Sequence, residues 1–152
     1  MIRYLKPTLL DIKEMQKLVM PEIEEGIILP RSDDEVATNI RSYTIAKEEN
    51  RVIGFAALHI HSPNLAEIRS LIVAKNKRGK GIGKKLVENC IEEAKQLHVK
   101  KVFTLTYEKE FFEKLGFKEI PKENLPEHKI WADCIKCKHF PICNEIALIK
   151  EL

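Results

Sequence analysis

Glycine is scarce in this chain, and so is any strong imbalance of charge. Six glycines occur in 152 residues, and three of them fall at the alternating positions 79, 81 and 83. Twenty-six Lys and Arg against 23 Asp and Glu leave a formal charge of +3, too small a field to argue for a nucleic-acid partner. No segment approaches the ~20 apolar residues of a membrane span, so no membrane association is expected. The opening MIRYLKPTLL lacks the apolar run and small-residue cleavage site of a secretion signal. Cysteine is sparing too, with four residues, three of them (Cys134, Cys137 and Cys143) close together. That is no disulfide framework, and it points to a reducing, cytoplasmic setting. Internal repeats, linkers and low-complexity tracts are absent. What remains is 44% hydrophobic and 32% charged, an ordinary globular composition, and 1–152 is read as one domain with a real core.

Periodicity divides the chain into strands and helices. Ile2 and Tyr4 alternate with polar neighbours as a short strand. Thr8, with Asp11 three residues on, is a helix start for Leu9, Ile12, Met15, Leu18 and Val19, and Pro21 is expected to end that helix. Ser32 followed by Glu35 starts a second helix, predicted to run through Val36 and Ile40 toward Tyr43. Strand patterns follow over 43–47, 51–61 and 65–73. A long amphipathic helix then carries Leu86, Val87, Cys90, Ile91, Ala94 and Leu97 on one face. A strand over 99–106, a short helix ended by Gly116 and two strands over 117–120 and 145–149 complete the order. The pattern is an α/β sandwich around one mixed sheet.

Three features coincide at Arg78-Gly79-Lys80-Gly81-Ile82-Gly83. The strand ending at Val73 delivers the chain to a turn that opens directly into a helix. Glycines there let phosphates approach the backbone, and the helix start offers unpaired N–H groups and a positive dipole end. Lys75, Lys77, Arg78, Lys80, Lys84 and Lys85 add positive charge. A nucleotide P-loop fits worse, because Lys84 is followed by Lys85 rather than Ser or Thr. A dinucleotide fingerprint also fits worse, because the glycines alternate. The bland alternative is a solvated basic turn.

The stretch from Val73 to Leu86 resembles the acetyl-CoA motif of the GNAT family of N-acetyltransferases. Phe112-Glu113-Lys114-Leu115-Gly116-Phe117 is similar to that family's second landmark. The resemblance implies a mixed, mostly antiparallel central sheet flanked by helices, with strands splayed at the acetyl-CoA site. It places the pantetheine arm on the backbone of Leu71, Ile72 and Val73, and the pyrophosphate on Arg78, Gly79, Lys80, Gly81, Ile82, Gly83 and Lys84. Many members protonate the departing thiolate from a tyrosine where this chain has Phe112, and Phe111 and Phe112 are read as core residues.

Within the family, Ile28-Leu29-Pro30-Arg31-Ser32, Ala56-Ala57-Leu58-His59, Glu67-Ile68-Arg69 and Val102-Phe103-Thr104-Leu105-Thr106 resemble the acetyltransferase domains of bacterial N-acetylglutamate synthases. Leu125-Pro126 and Lys129 echo them downstream. That resemblance implies a small-molecule amine acceptor, glutamate, in the first step of arginine biosynthesis; direct attack is expected because no cysteine sits in the segments expected to line the cleft. It implies Glu67 as base, with Arg31 and Arg69 binding the substrate's carboxylates. Thr106 or Tyr107, by position, would protonate the thiolate. Glu67 and Arg69 can also be read as the polar face of a strand, and His59 and His61 as packing or solvent-facing residues. The kinase-like domain of the long synthases has no counterpart here, so a stand-alone short form is expected, with a homodimer left open. Another amine acceptor and a non-catalytic sensor of acetyl-CoA or metal are the alternatives.

Cys134, Cys137 and Cys143 form a C-x2-C-x5-C cluster in a loop at about 125–144, with His128, Asp133, His139 and Glu145 nearby. The first pair has the spacing of a zinc knuckle, and His139 could complete four ligands. A structural zinc, reduced thiols and a labile disulfide all remain open.

Overall fold

The computed structural model describes residues 1–26, 29–124 and 145–152. Strand β1 (Ile2–Leu5) leads through Thr8, whose side chain accepts the Leu10 N–H while Asp11 accepts the Thr8 N–H. This capping box opens a 3-10 turn and then helix α1 (Ile12–Glu24). Pro21 does not end α1 but lies inside its last turn. So near the C-terminus proline forfeits one backbone bond, and its own carbonyl still accepts the Glu25 N–H at 3.1 Å. Helix α2 (Asp33–Thr38), capped by Ser32 and Glu35, is shorter than the sequence predicts. The Glu35 carbonyl is taken by the Thr38 hydroxyl and the Asn39 side chain, each at 3.0 Å. Such local bonds compete with continuing the helix, and a 3-10 turn follows.

Strands β2 (Tyr43–Glu48) and β3 (Arg51–Ser62) form a hairpin whose turn residues Glu49 and Asn50 both have positive φ. Strand β4 (Leu65–Val73), helix α3 (Ile82–Gln96), strand β5 (Lys101–Thr106), helix α4 (Lys109–Glu113) and strands β6 (Lys118–Ile120) and β7 (Ile146–Glu151) complete the order. Val99, predicted at the start of β5, is buried in the turn before it. The sheet runs β1-β2-β3-β4-β5-β7-β6, with β4–β5 its one parallel pairing among the described residues. On one face, Leu86, Val87, Cys90 and Ala94 of α3 pack on Ala56, Leu58, Ile68 and Val102. On the other, Ile12, Met15 and Val19 of α1 pack on Tyr43, Ile45, Phe55 and Ile72. No helix among the described residues is long and apolar enough to cross a membrane.

Two irregularities interrupt β4. Its pairing with β5 stops after three steps, the last being Glu67 opposite Phe103, and beyond that the two strands separate. Where they part, the buried Thr104 hydroxyl donates to the Ile68 carbonyl at 2.8 Å. Further along, Ala57 pairs with Arg69 and Phe55 with Ile72, so Ser70 and Leu71 share one position on β3. That is a β-bulge, and Ser70 adopts a left-handed φ of 59°. The bulge reverses the facing of the strand, so Leu71 and Val73 pack toward α3 while Ile72 packs toward α1.

Thr104→Val tests the bond at the fork. It keeps the shape but leaves a buried carbonyl unpaired, a loss of about 1–2 kcal/mol. Urea unfolding should show a lower midpoint with an unchanged slope.

Candidate active site at the split between two strands

The separation of β4 from β5 opens a cleft of about 920 Å³. Leu71, Ile72 and Val73 line one wall, Leu105, Thr106 and Tyr107 the other, and the glycine-rich turn closes one end. Beyond the last ladder step, β4 backbone groups on the β5 side have lost their strand partner. An extended polar chain could pair with them there.

At the turn, Gly79 and Gly81 have φ of 79° and 82°. A Cβ on either would meet nothing within 4 Å, so conformation rather than crowding calls for glycine. Gly81 is the N-cap of α3, and the first bond of the helix is from Lys85 N–H to the Gly81 carbonyl. The N–H groups of Ile82, Gly83 and Lys84 precede it and have no intrahelical acceptor, which suits a phosphate. Gly83 is different: a Cβ there would make ordinary contact with Phe111 and Val73 at 3.6 and 3.7 Å.

Not all the basic residues around the turn are available to an anion. Arg78 donates from Nη2 to Glu22 at 2.7 Å and from Nε to the Val73 carbonyl at 3.0 Å. Lys75 pairs with Glu25 at 2.9 Å and Lys77 with Glu48 at 2.6 Å. The Lys77 hydrogen bond and charge hold the Glu48 carboxyl below its ordinary range. These pairs strap the turn to α1 and β2. Lys80 and Lys84 have no carboxylate partner among the described residues, and of the two only Lys84 lines the cleft.

A second group of polar side chains meets at the bulge. Arg31 Nη1 donates to the Tyr43 hydroxyl at 3.2 Å and to Ser70 Oγ at 2.9 Å. Gln16 of α1 donates to the Arg31 carbonyl at 2.8 Å and to Asp33 at 3.1 Å, fixing the segment that carries Arg31. Arg69 precedes the bulge and lines the same cleft. Arg31 and Arg69 therefore both line one cleft.

Glu67 stands apart from the cleft lining. It is 1% exposed, and its Oε1 is 2.9 Å from His61 Nε2. The His61 ring packs in turn against Phe103 at 5.4 Å. The sequence reading of His61 as packing or solvent-facing omits this bond to the carboxylate. Thr106 Oγ1 accepts the Glu108 N–H at 2.9 Å, and Tyr107 is largely exposed at the mouth. Phe112 lies in the core as expected, whereas Phe111 packs only partly against it and lines the cleft. Cys90 is fully buried in α3, and burial pushes its thiol up to about 12.

Among the described residues, no group of three or more His, Cys, Asp or Glu could hold a metal ion. Cys134, Cys137 and Cys143, with His128, Asp133 and His139, lie outside the described residues, as do Ile28, Leu125, Pro126 and Lys129. Sequence reasoning missed Tyr43, Ser70, Glu22 and Thr104. Only Ser70 left a signal, since the apolar alternation of β4 shifts parity at that residue.

Comparison with known proteins places these features in a family. A model described as the acetyltransferase (GNAT) family matches residues 10–117. An uncharacterized N-acetyltransferase of Chlorobaculum tepidum is 40% identical over 144 residues, 95% of this chain and 92% of its own. An amino-acid acetyltransferase of Mannheimia succiniciproducens is 32% identical over 124 residues, 80% of this chain but only 28% of its own length. In fold, the chain is similar to N-acetylglutamate synthase from Neisseria gonorrhoeae, solved with coenzyme A and N-acetyl-glutamate. The TM-score is 0.87 at 24% identity, covering 100% of this chain and 35% of that one.

Proposed function

The chain belongs to the acetyltransferase (GNAT) family, and on that premise we propose that it moves the acetyl group of acetyl-CoA onto the amino group of glutamate. The observation that carries the choice of acceptor is the presence of Arg31 and Arg69 in one cleft. Two guanidinium groups suit a dianionic substrate, which a polyamine or a neutral peptide terminus is not. The names of the Mannheimia and Neisseria relatives support the same reading.

In this reading the N–H groups at the start of α3, with Lys84, hold the pyrophosphate, and the β4 edge that the split from β5 leaves at Leu71–Val73, where the Val73 carbonyl is already taken by Arg78, orients the pantetheine arm. Acetyl-CoA supplies a thioester carbonyl; the amine attacks it, the C–N bond forms, the C–S bond breaks and the thiol leaves. Arg31 and Arg69 orient the acceptor. Glu67, buried beside the cleft rather than lining it, takes the proton the amine must lose by way of a bridging water. Tyr107, a stronger acid than the neighbouring Thr106, returns a proton to the thiolate, while Thr106 shapes the β5 wall. Attack is direct. No cysteine lines the cleft among the described residues, and Cys90, fully buried with its thiol at about 12, cannot serve as an acyl carrier.

Release of free thiol from acetyl-CoA, measured across amino acids, polyamines and peptides, tests the assignment. Turnover should be highest with glutamate. Activity on a polyamine or a peptide terminus with none on glutamate would overturn it.

A further inference from the structure

Arg31 is held from one side only. Its Nη1 is engaged by the Tyr43 hydroxyl at 3.2 Å and Ser70 Oγ at 2.9 Å, while Nε and Nη2 make no hydrogen bond to any described residue. A guanidinium pinned through Nη1 presents Nε and Nη2 as two parallel donors, the fork that takes a carboxylate bidentately. We infer that Tyr43 and Ser70 are positioning residues that aim Arg31 at the acceptor's carboxylate, and thereby set a preference for an acidic over a neutral amine. This role rests on the proposal that glutamate is the acceptor.

Two further observations point the same way. Ser70 sits at φ 59°, a conformation that glycine adopts without steric cost and other residues do not. A serine kept there gives up backbone ease and gains a hydroxyl, and that hydroxyl is bonded to Arg31. Tyr43 is 2% exposed and packs edge-on against Phe55 at 5.5 Å. Phenylalanine would fill the same space. What tyrosine adds is an oxygen at the wall of the cleft, and it too engages Arg31.

The test uses Ser70→Gly, Tyr43→Phe and their double variant, with Arg31→Ala alongside. Each single change should raise the KM for glutamate by about five- to tenfold, less than the direct loss of a hydrogen bond to a charged group, because Arg31 itself remains to bind the carboxylate. The double variant should exceed either, with kcat and the KM for acetyl-CoA little changed. Ser70→Gly should melt at or above the wild-type temperature while binding glutamate less well, an outcome a purely structural serine does not produce. In an Arg31→Ala background, Tyr43→Phe should add nothing further. Side-chain NMR of Arg31 should show slow guanidinium rotation in the wild type and faster rotation in the double variant. Unchanged rotation in the double variant would overturn the anchor. A higher glutamate KM in Arg31→Ala but in neither single variant would overturn the positioning role. If Arg31→Ala leaves acidic acceptors unaffected although rotation is restrained in the wild type, the glutamate reading fails, and the selective role with it.

Discussion

Replacing Gly81 with valine is expected to weaken binding of coenzyme A by about a hundredfold or more, with a much smaller loss of stability. Gly81 has φ 82° and ψ 7°, and it is the last residue before α3 begins. A β-branched residue strongly disfavours that conformation, so the turn must distort to accept it. Distortion at the N-cap re-aims the N–H groups of Ile82, Gly83 and Lys84 together, because all three directions are set by how the helix starts. Losing two charge-assisted hydrogen bonds at ~1.5 kcal/mol each already amounts to about a hundredfold in affinity. Gly83→Ala is the control. Its Cβ would meet Phe111 and Val73 at ordinary contact distances and would raise helix propensity, so melting temperature should hold or rise. Isothermal titration with coenzyme A reads the affinity and thermal melting reads the fold. A Gly81→Val protein that binds within threefold of wild type would remove the turn as the pyrophosphate site.

The turn was legible because its signals are local. Alternating glycines, a strand before and an amphipathic helix after are all visible within a short stretch of chain, and the proposed phosphate contacts are backbone groups that depend little on what surrounds them. The sheet, with its helices on both faces, was legible for the same reason: apolar period and turn residues agree along most of the chain. The cluster around Arg31 was not. Arg31 meets Tyr43 and Ser70 across 12 and 39 residues of sequence, and no local pattern announces a meeting of three separate segments. The bulge at Ser70 shows in the sequence only as a shift of parity, which alternation alone cannot tell from a strand that simply ends. The same limit explains the basic residues. Six surround the turn in sequence, yet Lys75, Lys77 and Arg78 are tied to Glu25, Glu48 and Glu22. The positive field around the turn is therefore narrower than the count suggests, and the helix start carries more of it.

Glu67→Gln is expected to lower kcat by about a hundredfold or more, the usual worth of a positioned general base, with acetyl-CoA affinity unchanged. The position of the carboxylate is the reason. Glu67 is the last residue of β4 still paired with β5, so its backbone marks the apex of the split. Arg69 lies two residues further along the same strand and lines the cleft. Period-two alternation puts both side chains on one face of β4. His61 fixes the carboxylate through a 2.9 Å bond and is itself seated on Phe103. Glutamine keeps the volume and a hydrogen bond to His61 but cannot accept a proton from an ammonium. The variant should therefore fold normally and lose its turnover. His61→Asn, which keeps a donor but removes the ring from Phe103, should cost less in kcat than Glu67→Gln, since it acts only through the carboxylate. If Glu67→Gln lowers the melting temperature while kcat stays within threefold, Glu67 is a buried strut for His61, and the base must be sought among the groups that line the cleft.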